Sequence, residues 1–336
     1  MDNSTVFFSK EQFVIDSKQY MQNKILITGG AGNIGSALVL KLLEKFSNFV
    51  VVADDLSTGS LIKLPDKIKE NWTFVHCDVN DYSQISVLME KYKFDYVFHL
   101  AAVVGVQRTQ QFPLKVLQDI EGIRNILNLS VDHVVKKVYF SSSSEVYGEP
   151  VELPQHEIRT PLNSRVPYAV VKNVGECFFR SYQQQFGLDY TIFRFFNTYG
   201  PNQSIDFVVS KFLAAALKNE EITIYGDGSQ TRTFTFIDDN IETIIKCHEN
   251  NLFNNDVVNI GSSALTSVFD LANLILRITG SKSVITYLPP LKDGDMTRRQ
   301  PDNSKMLAIL GRELITLEEG IRRMMNSTVF LRSIGL

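Results

Sequence analysis

Lys24-Ile25-Leu26-Ile27 runs straight into Thr28-Gly29-Gly30-Ala31-Gly32-Asn33-Ile34-Gly35, and a helical pattern opens at Asn33. A strand, a glycine-rich turn and a helix in that order make a cradle for the pyrophosphate of a dinucleotide. Gly29 suits the tight turn, Gly32 lets the backbone approach phosphate, and Gly35 lets the helix pack closely on the strand. The helix N-terminus adds free N–H groups and the positive end of the helix dipole. The spacing is G-x-x-G-x-x-G.

Outward from this turn, strand-like and helix-like segments alternate to about residue 195. Apolar runs at 49–53, 73–76, 96–100, 137–141 and 190–195 are separated by helical patterns at 33–46, 82–91, 113–129 and 168–186. Such alternation predicts an α/β fold with a doubly wound parallel sheet and ligands outside the carboxyl ends of its strands. Beyond residue 196 the pattern turns rich in Gly and Pro, at Gly200-Pro201, Gly226-Asp227-Gly228, Pro289-Pro290 and Asp293-Gly294. The expected organisation is an extension over 1–22, a cofactor domain over 23–196, and a smaller lobe over 197–336 interleaved with the last sheet strands.

The chain has 336 residues, a formal net charge of −3, 21% charged and 44% hydrophobic residues. That balance speaks against a nucleic-acid or membrane partner. No apolar run reaches membrane-spanning length, and residues 1–22 lack the basic start and long apolar centre of a secretion signal. Cys77, Cys177 and Cys247 show no metal-ligand spacing, so reduced thiols, a cytoplasmic location and no metal are expected.

Asp54, at the end of the second apolar run, lies about 20 positions beyond the glycine turn, where a carboxylate accepts the hydroxyls of the adenosine ribose. It would repel a 2′-phosphate, which favours NAD over NADP. Asp55, Ser57, Thr58 and Gly59 follow in the same turn, Asp78-Val79 closes the third strand, and Leu100-Ala101-Ala102 allows close approach after the fourth. With Gly29, Gly32, Asn33, Ile34, Gly35 and Ser141 these are the expected cofactor contacts. His99 reads as a buried histidine with a local hydrogen bond rather than a catalyst.

Tyr168 and Lys172 lie four apart, on one face of a helix. An ammonium and an oxidised nicotinamide nearby favour a phenolate, which suits Tyr168 to take a hydroxyl proton as hydride leaves the same carbon. The fifth strand ends in Ser141-Ser142-Ser143-Ser144-Glu145-Val146-Tyr147-Gly148, so a serine hydroxyl can reach the same substrate oxygen. Glu145 reads equally as an acid or base and as a loop anchor.

These stretches, together with Arg194-Phe195-Phe196-Asn197-Thr198-Tyr199-Gly200-Pro201, the segment 224–236 and Arg299-Gln300-Pro301-Asp302, resemble the extended short-chain dehydrogenase/reductase superfamily. Within it they are most similar to the NAD-dependent nucleotide-sugar epimerase/dehydratase/decarboxylase branch, over about residues 23–325. The resemblance implies a Rossmann-type sheet, with Tyr168 as base, Lys172 orienting the ribose and polarising Tyr168, and Ser143 assisting. It implies substrate contacts from Ser143, Ser144, Asn197, Val208, Arg232 and Arg299, the two arginines gripping a diphosphate. It also implies a homodimer, or a larger even assembly, through the helices at 113–129 and 168–186. The shared chemistry starts with oxidation of the sugar at C4.

Three departures bear on the step after that oxidation. The Thr-Asp-Glu of 4,6-dehydratases is Ser143-Ser144-Glu145 here, and Ser144-Glu145 resembles UDP-glucuronate decarboxylases instead. The loop at 202–205 is short, as in decarboxylases. The usual Asn near the start of the dimer helix is Asp119. Completion as a 4-epimerase is the first expectation. Decarboxylation, or net 4-dehydrogenation or dehydration, is the alternative, and a non-catalytic NAD sensor is the remote one.

Overall fold

The computed structural model describes residues 23–65, 70–289 and 299–336, so the expected extension over 1–22 and the Asp293-Gly294 turn lie outside it. The chain opens with β1 (Asn23–Thr28), α1 (Asn33–Leu42), β2 (Asn48–Asp54), β3 (Trp72–His76), α2 (Tyr82–Tyr92) and β4 (Tyr96–His99). It continues through α3 (Val106–Gln111), α4 (Pro113–Asp132), β5 (Lys137–Ser143), α5 (Pro167–Phe186) and β6 (Asp189–Phe195). The remainder is β7 (Thr198–Tyr199), α6 (Val208–Leu217), β8 (Ile222–Tyr225), β9 (Thr231–Thr233), β10 (Thr235–Phe236), α7 (Ile237–Glu249) and β11 (Asp256–Ile260). Last come β12 (Leu265–Ser267), α8 (Val268–Thr279), β13 (Ile285–Leu288), α9 (Ser304–Leu310), α10 (Leu317–Met325) and α11 (Thr328–Ser333).

Seven strands form one parallel sheet in the order β3-β2-β1-β4-β5-β6-β11. Strand residues alternate between faces, so Ile25 and Ile27 join a core with α1 and α7, while Leu26 joins another with α2, α4 and α5. Burial on both faces is why these strands read as continuous apolar runs. The order reverses between β1 and β4, which opens a crevice at their carboxyl ends.

The chain leaves the sheet after β6, pairs β7 with β10, and returns to the sheet as β11 beside β6; β12 and β13 then pair back with β9 and β8.

Some boundaries differ from the sequence pattern. α1 stops at Leu42 rather than 46, because the Asn48 side chain donates to the Leu42 carbonyl at 2.9 Å and turns the chain, leaving Phe46 83% exposed. β5 runs two residues past 141, since its ladder with β6 continues through Ser142 opposite Arg194 and Ser143 opposite Phe195. The short helix α3 has no clear periodic signal.

Candidate active site

At the carboxyl ends of β1 and β4 the glycine turn leaves almost no room. Gly29 has φ +68°, and a Cβ on it would sit 2.6 Å from the Ala101 N. A Cβ on Gly35 would collide with the Gly29 carbonyl. Gly32 caps α1 in extended conformation without a side chain, so no side-chain cap takes up the first helix N–H groups. The Asn33 Oδ1 is buried without a partner.

Asp54 ends β2 and accepts from the Ala31 N–H at 2.9 Å and the Leu56 N–H at 2.8 Å. Burial raises its pKa, yet each carboxylate oxygen keeps a second lone pair for a ribose hydroxyl. Asp55 instead takes the N–H and hydroxyl of Ser57, at 2.9 and 2.7 Å, within its own turn. Asp78 accepts from the Asn80 N–H at 2.9 Å. A cradle that a Cβ would fill, an orphaned amide oxygen and a placed carboxylate fit a dinucleotide. Leu100, Ala101 and Ala102 line the same crevice; the Leu100 and Ala101 N–H groups donate to the Thr28 hydroxyl at 3.2 and 3.3 Å. A pocket beside Ser57 and Thr58 adds Val103, Arg108, Phe112 and Lys115, of which the glycine pattern gave no sign.

His99 is buried and its Nδ1 lies 2.8 Å from the Thr28 Oγ1. Burial and the Lys172 charge lower its pKa to about 3, so it stays neutral and structural.

The candidate catalytic group forms where β5 meets α5. Extension of β5 places Ser143 at the strand's end, where its hydroxyl accepts the Glu145 N–H at 3.2 Å and starts a 3-10 turn over Ser144–Tyr147. The Ser143 hydroxyl also lies near enough to the Tyr168 phenol to favour its ionised form. Tyr168 and Lys172 share the inner face of α5, with the Lys172 Nζ 5.8 Å from the Tyr168 ring centroid and 5.0 Å from that of Phe140.

The expected phenolate draws on an oxidised nicotinamide as well as on Lys172, and the protein's own groups act in the other direction. Rather than lowering the phenol, the surroundings raise it: burial acts first, then the Glu145 charge, while Ser143 and Arg299 pull the other way. Burial also lowers the pKa of Lys172 to about 8, opposed by the Asp119 charge. Asp119, on α4, is itself buried and raised; it accepts the Val103 N–H at 2.7 Å.

Glu145 pairs with Arg299, Oε1 to Nη2 at 2.6 Å, and both side chains are largely buried. Arg299 is thus engaged by a carboxylate beside the Ser143–Tyr168 pair, and its Nε has no partner among the described residues. Ser144 is buried in the turn. Asn197, after β6, sits at φ 25° with its Nδ2 buried and unpartnered. Val208 begins α6. Arg232, on β9, donates to the Thr231 carbonyl at 2.8 Å.

The sequence pattern missed the scaffold beneath these groups. Glu176, two turns beyond Tyr168 on α5, accepts from the Ser142 hydroxyl at 2.7 Å and from Arg194 at 2.8 and 2.7 Å. The signal was present, since 168, 172 and 176 recur every four residues on one helix face.

A glycine-cradled crevice beside a serine, a tyrosine and a lysine defines a dinucleotide-dependent enzyme that moves hydride at an alcohol carbon. The chain belongs to the NAD dependent epimerase/dehydratase family, whose model matches residues 25–261. NAD is the cofactor, and the family's enzymatic character sets aside the sensor reading. The chain is 34% identical over 311 residues to a putative UDP-glucose 4-epimerase of Methanocaldococcus jannaschii, covering 90% of this chain and 97% of that one. It is 35% identical to UDP-glucuronic acid decarboxylase 3 of Arabidopsis thaliana, covering 89% and 86%. The crystal structure of UDP-glucose 4-epimerase from Thermotoga maritima with UDP-glucose superposes with a TM-score of 0.84 at 33% identity, covering 92% of this chain and 98% of that one. Among the described residues no helix is long and apolar enough to cross a membrane.

Proposed function

We propose that this protein oxidises the sugar of a UDP-sugar at C4 and then completes a 4-epimerisation. One observation carries the reading: Ser143, Tyr168 and Lys172 meet at the carboxyl end of the sheet, beside the glycine cradle. Ser143 and Tyr168 hold the C4 hydroxyl, and Tyr168 takes its proton as hydride departs. Lys172 keeps an ammonium beside the phenol and orients the ribose. NAD supplies the hydride acceptor and a positive charge that favours the phenolate. Hydride returned to the opposite face of C4 inverts that centre. Asn197 and Arg232 are the proposed diphosphate contacts.

A second reading is favoured by the Glu145–Arg299 pair, a guanidinium with a free Nε next to the reacting hydroxyls. Such a fork suits a sugar carboxylate. Oxidation of a hexuronate at C4 makes a β-keto acid. Its C5–C6 bond then breaks, the electron pair passes through C5 to the C4 carbonyl oxygen, carbon dioxide leaves, and C5 takes a proton.

The test is incubation with UDP-glucose, UDP-galactose and UDP-glucuronate deuterated at C4. Inverted C4 with retained deuterium supports epimerisation. Carbon dioxide from UDP-glucuronate establishes decarboxylation in its place. No change in any of the three overturns both readings. The exposed Leu114, Leu117 and Phe186 on the packed α4–α5 pair support a homodimer or larger even assembly, and a monomer mass in light scattering would refute it.

A further inference from the structure

Glu145 and Arg299 stand on separate segments, and what fixes their spacing is a buried amide that touches neither. Asn259 lies in β11 and is 0% exposed. Its Oδ1 accepts the Tyr147 hydroxyl at 2.7 Å, and its Nδ2 donates to the carbonyls of Gln155 at 2.8 Å and Asp302 at 3.2 Å. Its backbone N–H donates to Glu157 Oε1 at 2.9 Å.

Tyr147 closes the 3-10 turn that carries Glu145, and its oxygen also accepts from Arg194 at 2.8 Å. Asp302 closes the segment that starts at Arg299. Gln155 straps that segment, donating to the Gln300 carbonyl at 2.7 Å and accepting the Asp302 N–H at 2.8 Å. Both ends of the Glu145–Arg299 pair therefore hang on one side chain. Only an amide serves, because the site asks for an acceptor on one side and two donated bonds on the other. A carboxylate would face two carbonyls, and an apolar residue would remove all three hydrogen bonds.

We propose that Asn259 is a positioning residue that sets the Glu145–Arg299 pair against the sugar and governs the step after C4 oxidation. The inference rests on the C4-oxidation reading above. Removing one limb lets the pair drift while Ser143, Tyr168 and Lys172 keep their own anchors on β5 and α5. Oxidation at C4 then survives, and completion suffers.

The experiment uses the full chain as purified, with Asn259→Asp and Tyr147→Phe. The first half is read as the absorbance of reduced cofactor after mixing with a UDP-sugar that the wild type turns over. The second is read as the rate of finished product and the fraction of 4-keto sugar released. The expected result is a first half within about twofold of wild type and a second half slowed about tenfold or more, with more 4-keto sugar released. Tyr147→Phe keeps the ring, loses only the hydroxyl, and carries the test should Asn259→Asp not fold. Parallel loss of both halves, no change in partition, or loss of cooperative melting in both variants makes the network merely structural and overturns the proposal. A wild type that reduces no cofactor with any UDP-sugar overturns the proposed function itself, and the inference with it.

Discussion

Two arginine–glutamate pairs flank the serine run, and they differ in how completely they are satisfied. Arg194 and Glu176 are buried and joined by two bonds; Ser142 and Arg180 fill the remaining carboxylate sites, while Tyr147 and the Glu157 carbonyl take the rest of the guanidinium. Arg299 and Glu145 share a single 2.6 Å contact, keep 10% and 21% of their side-chain surface exposed, and leave the Arg299 Nε unpaired. A saturated pair has nothing left to offer a ligand, so it serves as scaffold. An unsaturated pair beside reacting hydroxyls has capacity in reserve. Chemical type alone does not separate structure from function here; the state of the remaining lone pairs and protons does.

The sharpest division between chemistry and scaffold is expected from Tyr168→Phe. It should lower turnover by about a thousandfold while leaving the melting temperature nearly unchanged, since general-base catalysis contributes 10²–10⁴-fold. Steady-state rates alongside a thermal melt check both. Arg194→Leu should do the reverse, costing about 3–5 kcal/mol of stability by leaving Glu176 buried and uncompensated, read by urea unfolding. A loss much below 1 kcal/mol breaks the scaffold assignment. Arg299→Gln should cost about 10–100-fold in turnover, the size of a lost charged hydrogen bond, with a melt close to wild type. Equal losses of stability from Arg194→Leu and Arg299→Gln would erase the contrast between the pairs.

The smallest expected effect is on pH. Lys172 is buried with its pKa lowered to about 8 from 10.5, so its ammonium is lost as pH rises through 8. Burial pushes the Tyr168 phenol up rather than down. Turnover should therefore bend downward above about pH 8, and a profile flat well beyond that value removes Lys172 from its role. For stability the sign is opposite. Between about pH 8 and 10.5 the unfolded chain binds more protons, so the cost of burying Lys172 is full below 8 and fades as pH rises.

The sheet was legible because buried parallel strands and amphipathic helices carry distinct periods, and six strands and four helices fell where those periods put them. The cofactor turn was legible because glycines have few other reasons for that spacing after a strand. Arg194 and Asn259 were not, since a lone charged or amide residue in a strand gives no sign of which partner awaits it across the fold; the period that puts Glu176 on the face of Tyr168 likewise names no partner for it. Arg299 was placed by resemblance against a diphosphate, whereas in this structure it meets Glu145, more than 150 residues earlier. The raised phenol was missed because Tyr-x-x-x-Lys advertises the ammonium and says nothing of burial.

The return of β11 to the sheet has a practical corollary for anyone wishing to exchange sugar preferences between relatives. A graft cut after residue 196 removes the seventh strand along with everything that follows and strips β6 of its neighbour, leaving a raw edge prone to unwanted pairing. It removes Asn259 as well. Specificity in this architecture is not a detachable cassette, and any transplant has to carry the strand and its amide with it.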